Sequence, residues 1–155
     1  MLFNPAHLPL FADRQKAFCT ARIEGILKSA GLRATRQRQV LGALLFESDH
    51  RRVTADDLHR EALSRGVPLS LATVYNTLNQ FVEGGLVRRV SVNGERTYFD
   101  TDPGDHHHFY IEAEDRLIDI QPEEVCFSHL PTPPDGYAID KVDVVVHLKR
   151  VSQTS

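Results

Sequence analysis

From Ser70 to Asp100 the chain reads SLATVYNTLNQFVEGG and then, at once, LVRRVSVNGERTYFD. Few folds accommodate that succession. In the first segment Leu71, Val74, Leu78, Phe81 and Val82 recur at helical spacing, Ser70 stands where a side chain can cap the first turn, and Gly84-Gly85 supply a stop. The other face carries Ala72, Thr73, Asn76 and Asn79, with Tyr75 nearby. A face that met only water would ordinarily carry Glu and Lys, whereas one that approaches base edges benefits from short polar groups and methyls. In the second segment Val90 and Val92 alternate with polar positions, Thr97 and Phe99 resume the alternation, and Asn93-Gly94 predicts a type I′ hairpin turn. Arg88, Arg89 and Arg96 load the hairpin with positive charge.

Three helices are predicted upstream. Apolar spacing marks the first from Asp13 to Ala30, closed by Gly31. Thr35 caps a second, in which Val40, Leu41, Leu44 and Leu45 repeat at helical spacing. Thr54 opens a third, with Asp57 completing a capping box, and Gly66 closes it before Pro68. Arg36 and Arg38 lie in the first turn of the second helix, where they oppose its dipole; phosphate neutralisation gives such a placement a reason. Helix, turn, helix and basic hairpin is the order of a winged helix, in which the second helix of the pair enters the major groove of DNA and the wing touches the backbone. The expected fold is therefore α+β, with a winged-helix DNA-binding domain over residues 1–99 and a small α/β dimerisation and sensing domain over residues 100–155.

Charge divides the chain in the same place. Residues 1–99 hold 14 Lys and Arg against 9 Asp and Glu, and residues 100–155 hold 4 against 12. The basic half suits a polyphosphate, and the acidic half suits cations or self-association. Apolar runs are too short to span a bilayer, and Met1 to Leu10 lacks the basic-then-apolar pattern of an export signal, so a cytoplasmic protein without a membrane partner is expected. Only two cysteines occur, Cys19 and Cys126, far apart and outside any CxxC pair. No cysteine-ligated structural zinc is expected from so few thiolates.

The acidic half also carries His106, His107 and His108, bracketed by Asp100, Asp102 and Asp105 upstream and by Glu112, Glu114, Asp115 and Asp119 downstream. Imidazole with carboxylate suits Fe²⁺, Mn²⁺ or Zn²⁺, and neutral imidazole also ligates haem iron. On a strand His106 and His108 point to one side and His107 to the other, so one small ion is not expected to take all three. The metal candidates are thus Asp100, His106, His107, His108 and Asp119, and the haem candidates are the three histidines. Late in the chain VDVVVHLKR alternates as a strand of a dimer sheet, with His147 on the less apolar face, while His7 and His59 read as surface residues. No GxSxG, HExxH, P-loop or dinucleotide glycine fingerprint is present, so no enzyme is expected.

GLRATRQRQVLGAL, VTADDLH, SLATVYNTLNQFVEGGLV, ERTYFD and DHHHFY, in that order, resemble the motifs of ferric uptake regulators. SLATVYNTLNQ, TYFDT, DHHHFY and PDGYAIDKVDVVVHLKR are similar above all to the iron response regulators, the Irr branch. The resemblance implies that Ala72, Thr73, Tyr75 and Asn76 face DNA; Ser70, Arg36, Arg38, Arg88, Arg89 and Arg96 are the further interface candidates that the capped helices and the basic hairpin supply. It further implies a homodimer on a palindromic operator in double-stranded DNA, and control of iron and haem metabolism by haem or by a divalent metal. The chain departs from the commoner family pattern at Arg52, where a histidine is frequent, and in IEAEDRLIDI, which replaces the usual CxxC.

Overall fold

The computed structural model describes residues 8–152, with side chains from residue 19 onward. His7 lies outside the described residues. Four α-helices and three strands build the first unit, and the chain divides into two units between Pro103 and Gly104. No helix among the described residues is long and apolar enough to cross a membrane.

Helix α1 spans Leu8–Ser29, beginning earlier than the predicted Asp13, and Gly31 follows it with a positive φ of 72°. Helix α2 (Arg36–Phe46) starts where the Thr35 hydroxyl accepts from the Arg38 N–H, and it packs on α1 at Gly42, where a Cβ would meet Ile23 at 3.0 Å. Helix α3 (Ala55–Ser64) carries the full capping box: the Thr54 hydroxyl accepts from the Asp57 N–H at 3.1 Å, and the Asp57 carboxylate accepts from the Thr54 N–H at 3.3 Å. His59, read as a surface residue, is half-buried instead and donates from Nε2 to the Leu69 carbonyl at 2.8 Å, tying α3 to the turn that follows. Helix α4 (Leu71–Glu83) is capped by Ser70, whose hydroxyl accepts from the Thr73 N–H at 3.1 Å, and is released at Gly85, with φ 72°. Ile23, Leu27, Leu41, Leu45, Leu58, Val74, Leu78 and Phe81 fill the space between the helices as one core.

Strand β1 (Arg52–Val53), β2 (Arg88–Val92) and β3 (Arg96–Asp100) form an antiparallel sheet in the order β1-β3-β2. Asn93 and Gly94 both take positive φ, 55° and 73°, as a type I′ turn requires. Val92 nevertheless pairs with Arg96, so Glu95 makes a third loop residue and the predicted two-residue turn is one residue longer. That register decides which residues share a face, since residues directly opposite on antiparallel strands point the same way. Val53, Phe99 and Arg89 share the face towards the helical core, while Arg88, Val90, Tyr98 and Asp100 lie on the other.

In the second unit β4 (His107–Ile111) is central, antiparallel to β5 (Arg116–Ile120) and parallel to β6 (Val145–Leu148). Its helical content among the described residues is two 3-10 turns, Glu112–Glu114 and Pro122–Glu124. The predicted late strand forms over Val145–Leu148 only; Val146 and Leu148 on it are exposed, as are Phe127, Leu130, Tyr137 and Ile139 in the preceding segment.

Candidate nucleic-acid interface and metal centre

Helix α4 buries Val74, Thr77, Leu78 and Phe81, and that burial fixes its rotation. Ala72, Tyr75 and Asn76 are exposed as a result, with Thr73 half-buried beside them. Ser70 is spent on the helix cap, where its hydroxyl also lies 2.9 Å from that of Thr73. The Thr77 hydroxyl donates to the Thr73 carbonyl at 2.8 Å and so disappears from the outer face. What remains outward is a narrow strip of a methyl, hydroxyls, an amide and a phenol, uncharged along its length.

The arginines expected at this interface separate into kinds. Arg36, Arg89 and Arg96 are exposed, and the Arg96 guanidinium sits 5.7 Å from the centre of the Tyr98 ring. Arg38 is half-buried: its Nε donates to Gln80 Oε1 at 3.0 Å and its Nη1 to the Arg33 carbonyl at 2.9 Å. Arg88 requires a correction. It is 8% exposed, because it shares a rung and a face with Asp100, which is fully buried at 0%. From the opposite side of the same rung Arg52 brings Nε within 3.5 Å of Asp100 Oδ2, and the Asp102 N–H donates to Asp100 Oδ1 at 2.9 Å. The sheet thus ends in a rung of arginine, aspartate and arginine, and Arg88 belongs to it rather than to the outer wing surface.

In the second unit the strand register assembles the histidines. His108 lies directly opposite Asp119, so both point to one face, and His106, two positions earlier, joins them. His106 Nε2 is 3.5 Å and His108 Nε2 3.6 Å from Asp119 Oδ1; the two rings meet edge to face at 4.5 Å. One nitrogen from each imidazole and one carboxylate oxygen fall within 4.8 Å of one another. Both histidines are buried, at 6% and 2% exposure. The Gly104 carbonyl accepts from His106 Nδ1 at 2.8 Å, which places that ring's proton on Nδ1 and turns the Nε2 lone pair inward. Two imidazoles and a carboxylate, converging and shielded, are a donor set that a borderline divalent ion fits.

His107 is turned the other way, as strand alternation requires. Its Nδ1 accepts from the Val144 N–H at 3.2 Å and its ring stands against Phe127 at 6.0 Å. Sequence reasoning passed over Gln80 and the Gly104 carbonyl. Gln80 falls one turn beyond Asn76 on α4, a spacing that could have marked it, whereas nothing in the sequence marks a backbone carbonyl.

A helix with a short-chained polar strip, a hairpin beside it and a separate sheet holding buried metal-type donors define a class: winged-helix regulators that respond to metal. The ferric uptake regulator family profile matches residues 29–141. The chain belongs to that family. It is 33% identical over 111 residues to the ferric uptake regulation protein of Escherichia coli K12, covering 66% of this chain and 75% of that protein. The Klebsiella pneumoniae protein of the same name is likewise 33% identical, over 72% of its length. Among solved structures, the Pseudomonas aeruginosa ferric uptake regulator with manganese superimposes with a TM-score of 0.63 at 25% identity, over 83% of this chain and 97% of that one. The Vibrio cholerae regulator, at 23% identity and a TM-score of 0.62, matches in fold, over 82% of this chain and 98% of that one.

Proposed function

We propose that the chain acts as a homodimeric regulator whose affinity for a palindromic operator is set by a divalent ion, Fe²⁺, Mn²⁺ or Zn²⁺, held by His106, His108 and Asp119. The observation that carries this reading is the convergence of those three donors in a buried site. When bound, the ion would supply the positive charge that fixes two imidazoles and a carboxylate in one arrangement. The chain's own part is to hold the His106 tautomer through Gly104, to set Asp119 opposite His108 by strand register, and to keep water from both rings. On the DNA side, Ala72, Thr73, Tyr75 and Asn76 are proposed to meet base edges in the major groove, with Arg36, Arg89 and Arg96 on phosphates.

A second reading follows the Irr resemblance, in which haem weakens DNA binding. One observation favours it: His107 is the only one of the three adjacent histidines that is not buried, and the exposed ring of Phe127 beside it offers apolar cover for a porphyrin. Sequences retained by the full chain from a random duplex pool, titrated separately with Mn²⁺, Zn²⁺, Fe²⁺ and haem, test both. A metal-dependent change in affinity that His108→Ala abolishes supports the first reading. A response to haem alone that His107→Ala abolishes overturns it in favour of the second. Tyr75→Ala is expected to lose the retained sequences and keep the dimer; equal affinity would remove α4 from the interface.

A further inference from the structure

Adjacent amides on α4 each hold an arginine from a different element. Gln80 accepts from Nε of Arg38 on α2, and Asn79 accepts from Nη2 of Arg89 on the wing strand β2. Successive residues of a helix point about 100° apart, so Asn79 and Gln80 straddle the line on which Asn76 lies one turn earlier. The groove on the Gln80 side is lined by Thr35, Arg38, Thr73 and Asn76. A guanidinium is therefore tied down on each flank of the uncharged strip. The helix itself contributes no cation, for LATVYNTLNQFVE contains neither lysine nor arginine.

We infer that Asn79 and Gln80 are positioning residues for DNA-backbone contact: they orient Arg89 and Arg38 so that one cation meets a phosphate on each side of the groove that α4 enters. This rests on the reading of α4 as the helix that faces DNA. An arginine loses rotamer freedom when it is fixed, and a side chain already held by the helix has surrendered much of that before DNA arrives. A guanidinium carries five N–H donors in a planar fork. Among the described residues two of those on Arg38 and one on Arg89 are engaged by the protein, which leaves donors to spare on each. The two amides lie on one helix, whose seat is set by Val74, Leu78 and Phe81, so the spacing of the two cations is set by α4.

The test uses the full chain and a mixed-sequence DNA duplex of about 30 base pairs, with binding measured between about 50 and 200 mM salt. Gln80→Met and Asn79→Ala are each expected to lower affinity three- to tenfold and to reduce the slope of log affinity against log salt by about one unit. The unchanged melting temperature of each variant separates this from a lost fold. Arg38→Ala and Arg89→Ala should do the same. The decisive arm is the pair of cycles: Gln80→Met on an Arg38→Ala background, and Asn79→Ala on an Arg89→Ala background, should cost nothing further. Additive losses in the double variants, or salt slopes equal to that of the parent in the amide variants, overturn the inference. A parent chain that binds the duplex with no salt dependence instead removes the reading of α4 on which it rests.

Discussion

His107 sits between two residues that face the other way, and the contrast is measurable. His108→Ala or Asp119→Asn removes one of three converging donors and should weaken Zn²⁺ or Mn²⁺ binding at least about tenfold, the low end of what even outer-shell partners contribute. His107→Phe should leave the metal isotherm where it is and instead reduce stability by about 1 kcal/mol, because the Val144 N–H loses its acceptor. Calorimetric titration with the metal, alongside thermal melting, reads both; a loss of metal affinity in His107→Phe would refute the assignment. Arg88 and Arg89 form a second contrast between neighbours. Arg89→Ala is expected to flatten the salt dependence of DNA binding and spare the melting temperature. Arg88→Ala is expected to lower the melting temperature by removing a buried cation that shares the Asp100 rung. Alternation within β2 already puts Arg88 on the face of Val90 and Val92, which is the buried one. What the sequence did not show was its partner across the sheet, because Glu95 in the loop sets the register that places Asp100 opposite it.

Helix ends were the most legible elements, because caps are local chemistry. Thr35, Thr54 and Ser70 each accept the hydrogen bond that their position predicted. At α3 the cap is also a titrating device. Burial pushes the Asp57 carboxyl up, but the hydroxyl and backbone N–H of Thr54, with the Arg60 cation, more than offset this and hold it below the ordinary carboxylate range. A carboxyl lowered on folding contributes stability that is present above its unfolded value, about 3.9, and lost as pH falls through the folded value. Melting temperature should therefore fall with pH below about 4 in the parent and fall less steeply in Asp57→Asn. Thr54→Ala should cost about 1 kcal/mol near neutral pH. Identical acid profiles for parent and Asp57→Asn would show that the cap does not titrate as described. Elements set by distant partners were less legible. The short strand Arg52–Val53 has no pattern of its own and exists because β3 pairs with it, and VDVVVHLKR forms a strand only over Val145–Leu148, where β4 lies alongside.

At the scale of the whole chain, the charge asymmetry read from the sequence is the physical basis for two kinds of partner: 14 basic against 9 acidic side chains up to residue 99, and 4 against 12 beyond it. A regulator needs more than two sites on one chain; it needs a coupling free energy between them, and such coupling is reciprocal. If an ion at His106, His108 and Asp119 changes the affinity for DNA by some factor, DNA must change the affinity for that ion by the same factor and in the same direction. The factor is expected to lie in the range of about 5 to 150, that of ordinary allosteric couplings. Two measurements on the full chain, in one buffer because DNA affinity depends on salt, check it: the affinity for a selected duplex with Mn²⁺ and with chelator, and the affinity for Mn²⁺ with and without that duplex. Equal factors are expected, and His108→Ala should bring both to one while leaving chelator-state DNA binding in place. If Mn²⁺ binds tightly and both factors are one in the parent chain, the site holds metal without regulating DNA binding, and the proposed mechanism fails.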